Sequence, residues 1–337
     1  MMPVQNGSVS ARSCLAACLA AFLLVAATLW IAVSPSAAQT FPNRPIRIVV
    51  PAAAGGALDV ISRLMAIKAS EVLKQQVYIE NKPGANWIIG MDAVAKAAPD
   101  GYTLLFIASS GITVNPFVFP NMPLDPLHDL TPVTTATTTD FVLLVNPSLP
   151  VKTIGDFIRY LKANPGKLNH ASNSATTMLV SELFKAQAGV EYVDVNYRGA
   201  SQAIQDAAAG VVQFCFVDLG TGTSPIEGKL LVPLAITGPV RSKLNPSIPT
   251  LAESGLPGYS VSSSTLLLAP ANVPAEIMAQ LNAAFRHSLE TPEVNSKLVA
   301  MGQVVVGNSA QEAEALLKPE ADQFRKLIAD RNIQFAK

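Results

Sequence analysis

The segment from Arg44 to Asp59, RPIRIVVPAAAGGALD, constrains the fold more than any other part of the chain. A short run of β-branched residues is followed by a turn of alanine and glycine and then by an amphipathic pattern, which predicts a strand, a tight turn and a helix. Such a turn presents backbone N–H groups and the positive end of a helix dipole to one small volume. Because the turn contains no lysine, arginine or catalytic side chain, we predict that its backbone binds an anion such as a carboxylate or a phosphate.

Strand and helix patterns alternate after this segment. Apolar residues at helical spacing from Leu58 to Val72 predict a helix, and a second strand is predicted over 77–80. A strand, a helix and a strand in so short a stretch form a parallel crossover unit. A further strand is predicted over 102–108, and the same alternation starts again after Asn146. The sequence therefore predicts an α/β fold with two domains.

Two further loops lie where open α/β sheets bind ligands, at the carboxyl ends of strands. Ser109 and Ser110 directly follow the strand predicted over 102–108. The loop of residues 172–177, SNSATT, connects another predicted strand to a helix and is rich in hydroxyl and amide groups, so it offers a second helix start with capping and donor side chains. We expect one anion-binding helix start in each half of the chain.

The connections between the halves predict a hinged molecule. Residues 115–139 are polar and rich in proline, which predicts a passage across the surface, and a strand over 141–145 then leaves the first domain. Helices predicted over 274–290, 293–301 and 310–331 return most economically to the first domain. A cleft between two domains joined by more than one crossing is the geometry of a ligand trap that closes on a hinge.

The first 38 residues differ from the rest. Arg12 is their only charged residue, the run from Cys14 to Val33 is almost entirely apolar, and small residues end the segment. This pattern predicts a secretory signal cleaved after Ala38, with a retained transmembrane anchor as the alternative. A lipidation signal ending at Cys18 is less favoured because it precedes the apolar run. Cleavage leaves one cysteine, Cys215, which excludes an internal disulfide and is predicted to be a buried, inert thiol.

Nothing in the sequence indicates catalysis or a nucleic-acid partner. Basic and acidic residues balance at 24 each, so no polyanion is expected to bind. His128, His170 and His287 are scattered without the spacing of metal ligands. The chain contains neither a G-x-S-x-G elbow nor a dinucleotide-binding fingerprint, and residues 222–229 fail the phosphate-loop motif. We therefore predict no enzyme, no catalytic residue, no metal and no cofactor.

An ordered set of segments resembles the Bug-type periplasmic solute receptors of tripartite tricarboxylate transporters. The segments are RPIRIVVP from Arg44, ENKPGA from Glu80, AAPDGYTLL from Ala97, VNPSLPVKT from Val145, the Tyr197-Arg198-Gly199 segment and PTLAESGLPGY from Pro249. The resemblance implies a two-domain type II periplasmic-binding-protein fold with a central ligand cleft. It also implies a periplasmic receptor that captures a small organic carboxylate without chemistry and delivers it to the membrane subunits of the transporter, and we expect a monomer.

The expected domains are residues 39–142 with 262–337, which form a discontinuous first domain, and residues 143–261. The ligand-binding residues that the resemblance implies are Ala54, Gly55, Gly56, Leu58, Ser109 and Ser110 in the first domain, and Ser174, Thr176, Thr177, Tyr197 and Asp218 in the second. Asp59 is expected to stabilise the helix start more than to bind an amine. For Asp218, capping a loop and binding the ligand are equally favoured, and for Tyr197 a place in the cleft wall is favoured over one in the core.

Several positions depart from the pattern that is common in the family. Leu58 replaces a threonine, Asn86 and Trp87 replace glycines, and Met178 replaces a histidine, while Ala52 replaces an aromatic residue. These exchanges put apolar or bulky groups in place of small or hydrogen-bonding ones, so we expect a carboxylate with a larger apolar body. Trp87 either caps the pocket or covers the domain edge. The alternative functions are a ligand-sensing partner of a membrane signalling protein and a hydrolase that uses the same cleft.

Overall fold

The computed structural model describes residues 41–119, 121–197, 199–243, 245–331 and 333. The predicted signal segment, with its cleavage site after Ala38 and the lipidation candidate Cys18, lies outside these residues. The chain divides into a short unit that ends at Asn43 and a large unit that starts at Arg44. All the elements below belong to the large unit.

The first strand group is built from parallel crossover units, as the sequence predicts. Its elements are β1 (Ile46–Val50), α1 (Ala57–Leu73), β2 (Val77–Asn81), α2 (Ile88–Ala95) and β3 (Thr103–Ala108). β1 lies between β2 and β3 and is parallel to both. Four of the five β1 residues are buried, as expected for a parallel strand that is covered by helices on both faces.

The predicted surface passage over 115–139 is wrong in its second half. Short helices α3 (Ser110–Thr113), α4 (Asn115–Val118) and α5 (Pro126–Asp129) lead into β4 (Leu130–Val145), a strand of 16 residues. Thr134, Thr135, Thr137 and Thr139 of this strand are buried. The hydroxyl groups of three of them have hydrogen-bond partners, whereas that of Thr135 has none among the described residues. Thr134 donates to the carbonyl oxygen of Asn308 at 2.8 Å, so a residue that looks polar in sequence is accommodated inside a sheet.

The second strand group contains the elements α6 (Ile154–Ala163), β5 (Asn169–Ser172), α7 (Ala175–Ala188), β6 (Val193–Asn196), α8 (Ala200–Ala209), β7 (Phe214–Asp218), α9 (Leu219–Glu227) and β8 (Val232–Ile236). β5 is parallel to β6 and β7. The strands β7 and β8 are antiparallel to the second part of β4. This group therefore repeats the parallel architecture of the first one on the other side of β4.

The remaining elements return to the first group. They are β9 (Ser262–Pro270), α10 (Ala275–Glu290), α11 (Pro292–Ala300), β10 (Val304–Val305) and α12 (Ala310–Arg331). β9 lies between β3 and β4 and is antiparallel to both. The strand order is β2-β1-β3-β9-β4-β7-β5-β6, with β8 and β10 also paired to β4.

β4 belongs to both strand groups. From Leu130 to Asp140 it pairs with β9, and from Phe141 to Val145 it pairs with β7 and β8. The chain crosses back where Ser262 pairs with Asp140. The predicted domain boundaries at 142/143 and 261/262 stay a prediction.

The last helix spans the two groups. Leu317, in its first half, packs in the core of the first group. Leu327, near its end, packs in a core cluster that contains Phe157 of α6. The guanidinium Nε of Arg331 lies 3.2 Å from a carboxylate oxygen of Glu182 on α7. A second connection therefore runs beside β4 from one strand group to the other.

Candidate functional site

The carboxyl ends of both strand groups point to the same stretch of β4. β3 ends at Ala108, which pairs with Thr265 of β9, and Thr265 pairs with Thr137 of β4. β7 ends at Asp218, which pairs with Phe141. Thr137 and Phe141 are four residues apart on one strand, a spacing of roughly 13 Å. Because β7 runs antiparallel and β3 parallel to β4, the loops that leave the two groups face each other across the middle of β4.

The first of these loops connects β1 to α1. Ala54, Gly55 and Gly56 are exposed, and Leu58 is partly exposed. The helix begins after Gly56 without a side-chain cap, so the N–H groups of Ala57 and Leu58 have no acceptor within the helix. Gly55 has a φ of 83°, a conformation that favours glycine. The uncapped helix start can bind an anion through its backbone.

The buried carboxylate of Asp59 holds this loop in place through hydrogen bonds. The carboxylate accepts hydrogen bonds from Nε of Arg63 at 3.0 Å, from the N–H of Gly55 at 2.9 Å and from the amide of Asn81 at 2.9 Å. The hydrogen bond from Arg63 is the main reason that the pKa of Asp59 falls to about 2. The same Asn81 amide donates to the carbonyl oxygen of Ala52. These contacts confirm the predicted stabilising role of Asp59 and occupy one predicted anion donor, the N–H of Gly55.

Ser109 and Ser110 differ in what their hydroxyl groups can do. Ser109 is buried and donates to Oε1 of Glu320 at 2.9 Å. Thr113 donates to the same oxygen at 3.0 Å, and burial raises the pKa of Glu320. Ser110 is partly exposed, and within the part of the chain that the structure describes its hydroxyl has no hydrogen-bond partner. Ser110 is therefore the freer donor of the two.

The loop between β5 and α7 is a capping box. The Oγ of Ser174 accepts the N–H of Thr177 at 3.2 Å, and the Oγ1 of Thr177 accepts the N–H of Ser174 at 3.0 Å. Both predicted ligand hydroxyls are thus engaged in starting the helix. Thr176 is partly exposed and Ser174 is exposed, so these side chains remain accessible in this loop.

Tyr197 and Asp218 lie after β6 and at the end of β7. The hydroxyl of Tyr197 donates to the carboxylate of Asp206 on α8 at 2.9 Å, and its ring packs at the edge of a core cluster that contains Ala203. Burial raises the pKa of Asp218, opposed by a hydrogen bond from its own backbone. Asp218 precedes α9 and makes no side-chain cap there, so the structure favours no loop-capping role for it.

His170 and Cys215, two side chain types that often act in catalysis, are both buried. His170 is fully buried, its Nδ1 lies 3.0 Å from Asp194, and its Nε2 accepts the N–H of Phe216 at 3.2 Å. Burial lowers the pKa of this histidine, and the hydrogen bond from Phe216 requires an unprotonated Nε2. Burial also raises the pKa of the Cys215 thiol to about 12, which leaves it unreactive. Within the described ranges no three histidine, cysteine or acidic side chains are grouped to hold a metal ion.

A surface pocket of about 360 Å³ lies between side chains of the segment from Pro116 to Leu127 and α12. Phe117, Phe119 and Met122 line one side, and Lys318 and Arg325 line the other. None of its lining residues belongs to the predicted ligand set. No described helix combines the length and the apolar character needed to cross a membrane.

Comparison with known proteins assigns the family. The sequence model of TctC, described as "Tripartite tricarboxylate transporter family receptor", matches residues 61–333. The UPF0065 protein in the tcbD-tcbE intergenic region of Pseudomonas sp. (strain P51) is 36% identical over 295 residues, which cover 87% of this chain and 88% of that protein. Protein BugT of Bordetella pertussis is 32% identical over 300 residues, which cover 88% of this chain and 92% of BugT.

Solved structures agree with this assignment. Rpa4515 of R. palustris, solved with adipate, is 32% identical and superimposes with a TM-score of 0.73 over 87% of this chain and 99% of its own. MatC from Rhodopseudomonas palustris with bound malate is 28% identical and has a TM-score of 0.70, with 86% of this chain and 100% of MatC covered. The predicted family and the predicted two-domain α/β fold are confirmed. The chain belongs to the tripartite tricarboxylate transporter receptor family, TctC, whose receptors are periplasmic solute-binding proteins.

Proposed function

We propose that the protein captures a small organic carboxylate between its two strand groups and delivers it to the membrane subunits of a tripartite tricarboxylate transporter. The observation that supports this most is the convergence of the loops after β3 and β7 on the same five-residue stretch of β4, from Thr137 to Phe141. The adipate and malate that accompany two solved relatives support a carboxylate as the ligand class.

The contacts we propose come mainly from the backbone. The first turn of α1 would donate N–H groups to one carboxylate, and the first turn of α7 would do so from the other side, with Ser110 and Thr176 adding hydroxyl groups. Each helix dipole favours negative charge at these positions. Closure would remove water from the ligand and strengthen these hydrogen bonds, because electrostatic interactions are stronger at low dielectric constant.

Closure would be a rotation about the two places where the chain passes from one strand group to the other. We propose the domain division 39–142 with 262–337 and 143–261, because β4 changes its partners between Asp140 and Phe141 and because the chain returns at Ser262. A hinge of this kind needs only a few residues to absorb the backbone rotation.

A thermal-shift screen tests the ligand class. Mono- and dicarboxylates, including adipate and malate, are added to the purified protein, and the melting temperature is recorded. A ligand that binds only the folded state raises the melting temperature in proportion to the logarithm of its concentration above Kd. If no carboxylate raises it, the proposed function is wrong. Mass spectrometry of the incubated ligand separates capture from hydrolysis, since a receptor returns its ligand unchanged.

We also propose export to the periplasm with cleavage after Ala38, which the periplasmic location of TctC receptors supports. The test is the N-terminal sequence of the protein recovered from a periplasmic extract. A chain that begins at Gln39 supports the proposal, whereas an intact N-terminus in the membrane fraction supports a retained anchor. Transport of the ligand in a strain that lacks this protein then separates delivery to a transporter from a sensing role.

A further inference from the structure

The turn before α2 has an unusual backbone. Ala85, Asn86 and Trp87 have φ values of 45°, 51° and 75°, so three consecutive residues with side chains are left-handed. Gly84 precedes them with a φ of 129°. Left-handed conformations are unfavourable for L-residues other than glycine and persist only where surrounding contacts hold them. Trp87 therefore lies in a strained turn that other contacts must hold.

Contacts from two other segments hold this turn. The N–H of Trp87 donates to the carbonyl oxygen of Gly84 at 3.0 Å. The side-chain amide of Asn115, which is buried, donates to the carbonyl oxygen of Asn86 at 2.8 Å. The ring of Trp87 lies against Gly111, where an added Cβ would be 3.1 Å from Cε3 of the indole. The absence of a side chain at Gly111 is what lets the ring pack so closely.

This turn lies at the carboxyl ends of the first strand group. Gly111, which supports the ring, is the residue after Ser110, the freer donor of the loop that follows β3. On its other side the segment is tied to the loop after β1, because the amide of Asn81 donates to the carbonyl oxygen of Ala52 at 3.0 Å. An added Cβ at Gly90 would lie 2.7 Å from Cβ of Pro51. Trp87 therefore lies beside the loop after β3, and the helix that it precedes packs against Pro51 at the end of β1.

The exposure of Trp87 leaves it available to a ligand. The side chain is partly buried against the core of the first group. Over the described residues no acceptor is hydrogen-bonded to its indole N–H. A tryptophan that covered the domain edge alone would need neither the strained backbone nor this position beside the donor loop. Aromatic rings gain from stacking on flat apolar partners, and an indole N–H adds one donor at the ring edge.

We propose that Trp87 forms a wall of the ligand site and selects carboxylates whose body has a flat apolar face. This inference rests on the proposed function and adds to it the substrate class. The residue acts by contact with the ligand body, while the loop backbones and Ser110 bind the acid group.

The test compares two dicarboxylates of equal charge and similar length, adipate and benzene-1,4-dicarboxylate. Their Kd values are measured by calorimetry for the native protein and for the variants Trp87→Ala and Trp87→Phe. We expect the native protein to bind the aromatic ligand more tightly than adipate. Trp87→Ala should weaken binding of the aromatic ligand about tenfold and binding of adipate about threefold or less, whereas Trp87→Phe should keep most of the preference. Tyr78→Ala is the matched control, because Tyr78 is 42% exposed on β2 and should change neither affinity.

Fluorescence gives a second measurement that does not require Trp87→Ala to fold. Trp30 and Trp87 are the only tryptophans of the chain. The proposed cleavage after Ala38 removes Trp30, so the emission of the cleaved protein, or of Trp30→Phe where the segment is retained, reports Trp87 alone. We expect the aromatic dicarboxylate to change this emission at saturation. If calorimetry detects binding but the emission does not change, or if Trp87→Ala weakens both ligands equally, the assignment of Trp87 is wrong and the receptor function stands. If no carboxylate binds the native protein, both proposals fail.

Discussion

Gly220 and Gly302 are packed backbone against backbone. An added Cβ at Gly220 would lie 2.8 Å from the carbonyl oxygen of Met301, and one at Gly302 would lie 2.9 Å from the nitrogen of Gly220. Gly302 also has a φ of 76°, which favours glycine independently of space. Gly220 is the second residue of α9 in the second strand group, whereas Gly302 lies between α11 and β10 of the first. The contact between the two groups therefore requires a glycine on each side.

A methyl group at this contact should separate the two backbones. We expect Gly220→Ala to lower the free energy of unfolding by about 1–3 kcal/mol, since the clash is with main-chain atoms that cannot rotate away. Urea unfolding measures the change. The control is Gly155→Ala in α6, where a Cβ meets ordinary contacts at 3.7 Å and beyond, and where alanine should stabilise the helix by up to about 1 kcal/mol. Equal effects of the two substitutions would contradict the packing argument.

The proposed anion site at the start of α1 can be tested with a pair of matched glycines. Gly55 and Gly166 have φ values of 83° and 70°, and no atom lies within 4 Å of an added Cβ at either position. Valine should therefore cost each site a similar amount of stability, roughly 1–2 kcal/mol. We expect only Gly55→Val to weaken carboxylate binding, by about tenfold or more, in a calorimetric titration. Unchanged affinity in Gly55→Val would remove this loop from the site.

Relieving the strain of the left-handed turn should raise the free energy of unfolding. Ala85 has a φ of 45° with no structural need for its methyl group, so Ala85→Gly should raise the free energy of unfolding by about 0.5–1 kcal/mol. Thermal unfolding measures the change. Ala93→Gly, within α2, is the opposite control, because glycine inside a helix should cost about 0.5–1 kcal/mol. A loss of stability in Ala85→Gly would show that the turn is not strained at this residue.

The carboxylate of Asp59 should make stability depend on pH in the acid range. Its pKa is about 2 in the folded protein against an ordinary value of 3.8, so protonation favours the unfolded state. The stabilisation is fully present above about pH 5 and is lost as the pH falls through 4 towards 2, and we expect it to amount to roughly 1–2 kcal/mol.

Urea unfolding at pH 6 and pH 3 measures this dependence. Asp59→Asn keeps the shape of the side chain but cannot titrate, so the variant should lose less stability than the native protein between these two pH values. Its remaining loss measures the other acids that titrate in the same range. An identical loss in both proteins would contradict the role of Asp59 in holding the loop.

Local patterns predict those parts of the fold whose contacts are local. The segment from Arg44 to Asp59 contains its own strand, turn and helix start, and the structure forms them at those positions. The strand predicted over 141–145 is the second part of β4. The part before it is not predicted, because threonine and proline suggest a loop when their partners are unknown. The hydroxyl partners of Thr134 and Thr137 are remote: the Oγ1 of Thr137 bonds with that of Thr265, 128 residues away in sequence. β-Branched threonine is a strand former when such partners exist.

The difference between local and remote contacts also decides how much of the candidate site can be predicted from the sequence. The rule that ligands bind beyond the carboxyl ends of parallel strands is sufficient to select the loops. This rule cannot say which hydroxyl groups already form hydrogen bonds with other parts of the protein. Ser109 and Ser110 are equivalent in sequence, and they differ only because Glu320, 211 residues after Ser109, accepts from one of them. Trp87 is likewise positioned by Asn115 and Gly111, which lie on other segments.

The shared strand β4 has a consequence for how the protein can be divided. A single unbroken row of residues supplies backbone hydrogen bonds to both lobes, and α12 adds side chains to both cores. We therefore expect that neither strand group folds alone, because cutting β4 between Asp140 and Phe141 would leave an open sheet edge on each piece. The two strand groups are therefore expected to melt together in one cooperative transition.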